Sequence, residues 1–264
     1  MSIDHQAVLR LAREAGAAIM AIYAQDFAVE HKQDLSPLTA ADMAAHHLIV
    51  DGLAVLTPDV PVLSEESASI GWEVRRQWRR YWLVDPLDGT REFVKKNGEF
   101  TVNIALIEDG VSVFGVVYAP ALDEMLYGLR GVGAFVRDGG SDVPVMARRP
   151  ALAPLRVAAS RSHMDARTAA AIERMGEVQT LGLGSSLKFC RLAEGRLDIY
   201  PRFGPTSEWD TAAGQAVLEA AGGVVLRLDG SVLSYNTKDS LLNPDFIALG
   251  DGDLPWSDWL TDQL

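Results

Sequence analysis

The residues best suited to chemistry lie in the stretch YWLVDPLDGTREFVKK. Asp85 and Asp88 stand three positions apart where a predicted strand turns into a helix, and the backbone carbonyl of Leu87 lies between them. Carboxylate and carbonyl oxygens are the ligands that a hard cation such as Mg²⁺ prefers. Gly89 and Thr90 open the predicted helix, where backbone N–H groups can hold a phosphate. The stretch therefore indicates either a site for a cation and a phosphate or an ordinary loop, which uses the same residue types.

The spacing of the two acids excludes one class of phosphatase chemistry. Haloacid dehalogenase phosphatases need Asp-x-Asp-Gly-Thr for their nucleophile and their acid/base residue, whereas Asp85 and Asp88 are one residue further apart. We find no candidate for a covalent phosphoenzyme and therefore expect direct attack by water. Oxygen from water should then enter the released phosphate in a single turnover.

Three more acids stand near the ends of predicted elements, where each has an ordinary explanation as well as a chemical one. Glu65 follows a strand predicted over 58–63, Asp42 lies in the first turn of a predicted helix, and Asp210 opens another helix. Negative charge at a helix N-terminus is favourable by itself, which accounts for Asp42 and Asp210 without any function. Glu65 is of interest because the next predicted strand also ends in acids.

A second group of polar residues suits a phosphate. Ser185 and Ser186 open a predicted helix after two nearby glycines, and Lys188 follows in its first turn. Backbone N–H groups and a lysine at such a position can hold an anion, and helix capping is the alternative. His163 follows a predicted strand, and loops at strand ends often carry function.

Hydrophobic periodicity predicts two unlike parts. An amphipathic helix over 3–25 and a second long helix from Ser36 precede a β-rich segment, in which Glu108-Asp109-Gly110 indicates a hairpin. Pro86 should end the pairing of its strand because proline has no N–H. The strands predicted in this part cover 27–32, 58–63, 81–84, 100–107, 111–118, 124–129 and 133–137, the later ones as an antiparallel meander.

A polar, proline-containing segment over 141–154 is the predicted boundary between the two parts. Strands and helices alternate after it, which is typical of an α/β arrangement. The predicted strands are 155–159, 177–181, 196–200 and 224–227, and the predicted helices are 165–175, 186–194 and 209–221.

Composition excludes several classes of partner. The 264 residues are 48% hydrophobic, with a net charge of −12 and a pI of about 4.8, which argues against a nucleic acid polymer. Cys190 is the single cysteine, so no internal disulfide can form, and it is expected to be buried. The charged N-terminal sequence predicts no signal peptide, and no apolar run approaches the ~20 residues of a membrane span. We expect a cytoplasmic protein.

These residues together resemble the inositol monophosphatase superfamily of lithium-sensitive, metal-dependent phosphatases. The matching segments are SPLTAADMAAH, VLSEE, WLVDPLDGTREFVKKNGEFTVNIAL, GVVYAP, SRSH, GSSLKFC, YPRFGPT and WDTAAG. The resemblance implies a layered α/β/α/β/α sandwich. It also implies an α+β half over 1–150 that carries most of the metal ligands and an α/β half over 151–264 that completes the metal and nucleotide site.

The resemblance also assigns roles to the acids. Glu65, Asp85 and the Leu87 carbonyl would hold one Mg²⁺, and Asp85, Asp88 and Asp210 would hold a second, with a weaker third ion near Glu65. Because crowded acids repel each other strongly, such a site should depend on divalent cations. The implied catalytic residues are Asp42, Glu65 and Thr90, of which Asp42 and Thr90 would orient the attacking water.

Within the superfamily, the longer matching segments imply a nucleotide substrate. The implied reaction removes the 3′-phosphate of 3′-phosphoadenosine 5′-phosphate to give AMP and phosphate, with the related 3′-phosphate-bearing sulfate donor as a second substrate. The implied substrate contacts are Glu65, Leu87, Asp88, Gly89, Thr90, His163, Ser185, Ser186, Lys188 and Asp210.

Two alternatives remain open at this point. The same metal site could serve inositol 1-phosphate or fructose 1,6-bisphosphate, or the chain could be a non-catalytic regulator that binds metal or phosphate. The presence of every acid that the mechanism needs favours an enzyme. The sequence fixes neither the oligomeric state nor the number of bound ions, and the resemblance also admits loose attachment to the cytoplasmic side of the inner membrane.

Overall fold

The protein is described here from a computed structural model. The structure describes residues 3–25, 37–159 and 165–260. Two β-sheets, of seven and five strands, alternate with helices on their faces. The resulting α/β/α/β/α layers confirm the fold class expected from the sequence.

Two long helices form the first layer. Helix α1 (His5–Tyr23) begins at Asp4, whose carboxylate accepts a hydrogen bond from the Ala7 N–H at 3.1 Å. Helix α2 (Pro37–Leu56) packs along α1 and against the first sheet. The apolar faces of both helices share one core with that sheet, as the periodicity predicted. The strand predicted over 27–32 lies outside the described residues.

The first sheet is a nearly continuous antiparallel meander. Its strands follow one another in chain order, and only β1 pairs in parallel with its neighbour β2. The strands are β1 (Val62–Ser64), β2 (Arg80–Asp88), β3 (Thr101–Glu108), β4 (Val111–Ala119), β5 (Glu124–Leu129), β6 (Gly133–Asp138) and β7 (Ser141–Val145). A 3-10 helix over Glu65–Ser67 and α3 (Trp72–Arg75) connect β1 to β2, and α4 (Thr90–Val94) follows β2.

One expectation for this sheet was wrong. Pro86 does not end β2, because the strand continues to Asp88 through a register shift that leaves Pro86 and Leu87 without a paired residue on β3. Such a bulge tolerates a proline because no ladder N–H is needed there. The edge strand β7, which was not predicted, occupies the first five residues of the segment over 141–154 in which the boundary is expected.

The second sheet mixes parallel and antiparallel pairs in the order β11-β12-β10-β8-β9. Its strands are β8 (Leu155–Ala159), β9 (Val178–Gly182), β10 (Ile199–Arg202), β11 (Val224–Arg227) and β12 (Phe246–Leu249). The intervening helices are α5 (Ala166–Arg174), α6 (Leu187–Ala193) and α7 (Glu208–Ala220), and a 3-10 helix covers Trp256–Leu260. Strand β12 was not predicted, although it pairs with both β10 and β11.

Helix α7 lies between the two sheets and contacts strands of both. Its close approach to the first sheet depends on glycines. A Cβ added to Gly115 on β4 would stand 2.4 Å from the Ala213 carbonyl oxygen, and one added to Gly128 on β5 would stand 2.6 Å from the Ala216 carbonyl oxygen. Glycine is therefore the residue that lets this helix lie against the sheet.

No helix in the three described ranges is long and apolar enough to cross a membrane.

The approach of α7 gives a direct test of the packing. We expect Gly115→Ala to lower the free energy of unfolding by about 1–3 kcal/mol, because the new methyl group collides with helix backbone that cannot rotate away. Chemical denaturation measures the change. Gly71→Ala is the matched control, since a Cβ there meets nothing within 4 Å and should change stability by less than about 0.5 kcal/mol. Equal effects of the two substitutions would contradict this account of the packing.

Candidate active site

Three carboxylates from two layers meet at the end of β2. Ligand oxygens of Asp85, Asp88 and Asp210 all lie within 4.8 Å of one another. Asp85 is 1% exposed, and its Oδ1 accepts a hydrogen bond from the Leu87 N–H at 3.1 Å. The bulge in β2 thus places two acids three positions apart on one side of the chain, as the sequence motif suggested.

Asp210 reaches the group from the first turn of α7. Its Oδ2 accepts a hydrogen bond from the Ser207 N–H at 2.9 Å, which completes a capping box at the helix start. The expected capping role is therefore real. It does not exclude a second role, because a carboxylate can accept several hydrogen bonds or metal bonds at once.

Ser186 connects the acids that come from opposite layers. Its hydroxyl lies 2.9 Å from Asp88 Oδ2 and 2.9 Å from the Asp210 carbonyl oxygen. It also accepts a hydrogen bond from Asn103 Nδ2 at 2.9 Å. Because Ser186 is buried beneath the carboxylates, its side chain can hold Asp88 in place.

The electrostatics of this group favour a bound cation. Burial, followed by the charge of Asp88, raises the pKa of Asp210 to about 7. Burial and the neighbouring acids raise the pKa of Asp85 well above its usual value, and burial also raises that of Asp88 despite the opposing effect of Lys188. Such shifts mean that the acids resist carrying negative charge together. Since all donors are oxygen atoms, the group fits a hard divalent cation, which would relieve the repulsion.

Glu65 and Asp42 lie beside these acids. Burial, Glu66 and Asp88 raise the pKa of Glu65, although its carboxylate is not one of the three that lie within 4.8 Å. Asp42 lies on α2, where burial and the neighbouring Glu66 raise its pKa to about 8. Its Oδ1 is buried and has no hydrogen-bond partner among the described residues, as expected of an atom that awaits a ligand.

Helix α2 also contacts the end of β1, next to Glu65. His46 lies one turn after Asp42, and its Nδ1 is 2.9 Å from Ser64 Oγ, in the residue before Glu65. This contact gives His46 a structural role beside the acids. The charge of Glu66 raises the pKa of both acids, although the sequence analysis gave this residue no role beside Glu65.

A cavity of about 540 Å³ opens beside the carboxylates. Its walls come from both halves of the chain. The lining residues that the sequence had singled out are Asp88, Gly89, Thr90, Ser185, Lys188 and Asp210. Arg91, Lys95, Tyr200 and Arg202 line it too and were not predicted.

Lys188 is the buried cation of this cavity. Its Nζ donates to the Ser185 carbonyl at 2.9 Å and lies 5.3 Å from the centre of the Tyr200 ring. Burial lowers its pKa to about 8, although Asp88 acts in the opposite direction. Ser185 has a positive φ of 43°, and its buried Oγ has no partner within the described ranges. Both residues are therefore available to a phosphate.

Gly89 places the start of α4 against the opposite wall. It has a φ of 90°, and an added Cβ would lie 3.2 Å from Ser185 Cβ. Thr90 follows as the first residue of α4 and is exposed to the cavity. His163 lies outside the described residues, so its predicted contact with substrate stays a prediction.

The expectation that the chain offers no candidate for a covalent phosphoenzyme overlooked one match in spacing. Cys190 and Arg196 have the Cys-X₅-Arg spacing of cysteine-based phosphatases. Cys190, however, is fully buried within α6, and burial raises the pKa of its thiol. A protonated, enclosed thiol cannot act as a nucleophile, so the match has no chemical meaning here.

Another cavity of about 540 Å³ lies between α1 and α2. Its lining is largely apolar and includes Leu11, Leu48 and Val55, and none of the three converging carboxylates borders it. The cavity at the end of β2 is therefore the candidate active site.

Comparison with known proteins agrees with this geometry. The chain matches the inositol monophosphatase family over residues 4–251. It is 54% identical over 243 residues to the 3′(2′),5′-bisphosphate nucleotidase CysQ of Salmonella typhimurium, an alignment that covers 90% of this chain and 96% of the relative.

Solved structures give the same result. CysQ from Bacteroides thetaiotaomicron, a bacterial member of the inositol monophosphatase family, has a TM-score of 0.81 and 42% identity, with 92% of this chain and 96% of that one covered. An inositol monophosphatase from Zymomonas mobilis also has a TM-score of 0.81, at 26% identity, with 99% and 98% covered. The chain therefore belongs to the inositol monophosphatase family.

Proposed function

We propose that this protein is a metal-dependent 3′(2′),5′-bisphosphate nucleotidase that hydrolyses 3′-phosphoadenosine 5′-phosphate to AMP and phosphate. The observation that carries the proposal is the group of three converging carboxylates, two of which line a cavity together with a buried lysine. The 54% identity to a 3′(2′),5′-bisphosphate nucleotidase, over nearly all of both chains, supports the choice of a nucleotide over a sugar phosphate.

The cofactor proposed for the carboxylate group is Mg²⁺, in two or three copies. Asp85, Asp88 and Asp210 supply oxygen atoms from both layers, and we propose Glu65 and the Leu87 carbonyl as further ligands. Such ions, when bound, polarise a phosphoryl group and lower the pKa of water, which assists both the attacking and the leaving oxygen.

The chain itself positions the reacting groups. We propose that Asp42 and Thr90 orient the attacking water together with Glu65, with Asp42 using the Oδ1 atom that has no partner within the described ranges. A carboxylate whose pKa is raised to about 8 can hold or release a proton near neutral pH, which suits this task. Asp85 keeps its geometry through the hydrogen bond that its Oδ1 accepts from the Leu87 N–H.

Five of the substrate contacts proposed from the sequence divide into two groups. Gly89, Thr90, Ser185 and Lys188 line the cavity and are proposed to hold phosphate groups of the nucleotide. Ser186 is buried under the acids, so we propose that it acts on substrate only through Asp88.

The first test is substrate preference. We expect the purified protein to release phosphate from 3′-phosphoadenosine 5′-phosphate at least about tenfold more efficiently than from inositol 1-phosphate, because differential transition-state binding of the second phosphate is worth more than about 1.4 kcal/mol. Initial rates with Mg²⁺ and with EDTA measure this, with fructose 1,6-bisphosphate as a third substrate. Preference for the inositol ester would keep the site but replace the substrate, and no turnover at all would favour a binding protein.

The carboxylate group gives a second test. We expect Asp85→Asn to lower kcat by more than the about 10–100-fold typical of removing an outer-shell partner of a metal. The same substitution should leave the melting temperature in EDTA unchanged or higher, since it removes one of several buried acids that repel each other. Loss of activity accompanied by a large loss of stability would point to misfolding instead.

The raised pKa values predict how pH affects the metal-free protein. Folded-state pKa values of about 7 for Asp210 and about 8 for Asp42 exceed that of an unfolded aspartate, so these groups favour the folded state at low pH. That contribution is lost as pH rises through the folded pKa values. In EDTA the melting temperature should therefore fall between about pH 4, near the pKa of an unfolded aspartate, and about pH 8, and the gain on adding Mg²⁺ should grow as the pH rises toward 8.

Differential scanning fluorimetry at several pH values, with EDTA or Mg²⁺, measures this trend. The Asp85→Asn variant serves as the control, because with fewer acids to repel each other its pH dependence in EDTA should be weaker. A gain from Mg²⁺ that is independent of pH would contradict the assignment of these carboxylates as the cation site.

A further inference from the structure

A buried hydrogen-bond network joins α3 to the loop that precedes β12. Arg75, the last residue of α3, is 2% exposed, and its guanidinium lies 4.8 Å from the ring centre of Trp72. It donates to Asn236 Oδ1 at 2.7 Å, to the Lys238 carbonyl at 3.1 Å and to the Asp239 carbonyl. Asn236 Nδ2 donates back to the Arg75 carbonyl at 2.6 Å. Two residues that are 161 positions apart are thus bound reciprocally.

Asn236 extends this network to the start of α7. Its backbone N–H donates to Glu208 Oε2 at 2.8 Å, and Glu208 is the first residue of α7 and 1% exposed. Asn236 has a φ of 51°, in the left-handed region that asparagine adopts more readily than most other residues besides glycine. Asp210 stands two residues after Glu208 in the same helical turn.

We propose that Arg75 is a positioning residue for the Asp210 carboxylate. It fixes Asn236, which fixes Glu208, and the first turn of α7 then holds Asp210 at a set distance from the acids of β2. This inference rests on the proposed function and adds a determinant of its cation site. Metal sites tolerate ligand displacements of only about 0.2 Å, so a small movement of this turn would weaken cation binding.

Other contacts keep the fold intact when Arg75 is replaced. Asn243 Nδ2 donates to the Ser207 carbonyl at 2.7 Å and to Thr211 Oγ1 at 3.0 Å, so the start of α7 stays attached to its loop. The hydrophobic core around α7 includes none of the residues of the network. A folded variant with a displaced carboxylate is therefore the expected outcome.

The test is cation binding by the whole protein in the absence of substrate. Arg75→Gln and Asn236→Ala should each weaken Mn²⁺ binding, measured by electron paramagnetic resonance, by about 10–100-fold. The half-saturating Mg²⁺ concentration for hydrolysis should rise in parallel, while kcat at saturating Mg²⁺ stays within about threefold. Because both substitutions break one pathway, the double variant should be no worse than the weaker-binding single variant.

Arg191→Gln provides the matched control. Arg191 is 5% exposed and donates to Glu194 Oε2 at 2.8 Å and to Glu124, so its loss also breaks a buried ion pair. We expect this substitution to lower the melting temperature but to leave Mn²⁺ affinity unchanged. Arg75→Lys should recover part of the affinity, because an ammonium can still reach one of the acceptors.

Two outcomes would overturn the proposal. One is an Arg75→Gln variant that loses stability as Arg191→Gln does but binds Mn²⁺ with wild-type affinity. The other is additive losses in the double variant. Wild-type protein that binds Mn²⁺ but prefers another phosphate ester would overturn the proposed substrate and leave the role of Arg75 supported.

Discussion

Repulsion among buried carboxylates is the constraint on which the site depends. Ligand oxygens of the buried Asp85 and of the half-buried Asp88 and Asp210 lie within 4.8 Å of one another. Negative charges so placed favour protonation or separation unless a cation joins them. The fold must therefore hold the acids together against their own electrostatics, and most features near the end of β2 serve that purpose.

The supports come from every side of the group. Backbone N–H groups of Leu87 and Ser207 each bind one carboxylate, and Ser186 reaches from α6 to contact elements of both layers. Lys188 supplies positive charge from the cavity wall, at the cost of a lowered pKa for its own ammonium. Hydrophobic packing on both faces of the first sheet supplies the rigidity that lets these few polar contacts be effective.

Local features of this arrangement were predictable from the sequence. The helix over 3–25, the hairpin around Gly110 and the convergence of Asp85 and Asp88 follow from periodicity, turn chemistry and spacing, whereas Asp210 was placed with them only by the family resemblance. The continuation of β2 through Pro86 was not predictable from local rules, because a bulge allows what a regular ladder forbids. The four residues of β12 were missed because so short an apolar run has no periodicity of its own.

The other features that could not be predicted from the sequence depend on long-range contacts. Arg75 and Asn236 are 161 positions apart, and neither residue belongs to a sequence pattern that predicts a contact between them. The same holds for Asn103, which looks like an ordinary residue of a buried strand until Ser186 is placed beside it. Such contacts follow from the packing of the layers, which single-sequence reasoning does not reach.

The position of α7 between the sheets affects how the chain is made. On the ribosome, the seven strands of the first sheet emerge well before the helix that covers their inner face. Until α7 has been synthesised, the sheet presents an apolar surface to water, which is a condition that favours aggregation or chaperone binding. Helix α7, which completes the site, must therefore be synthesised before the inner face of the first sheet can be buried.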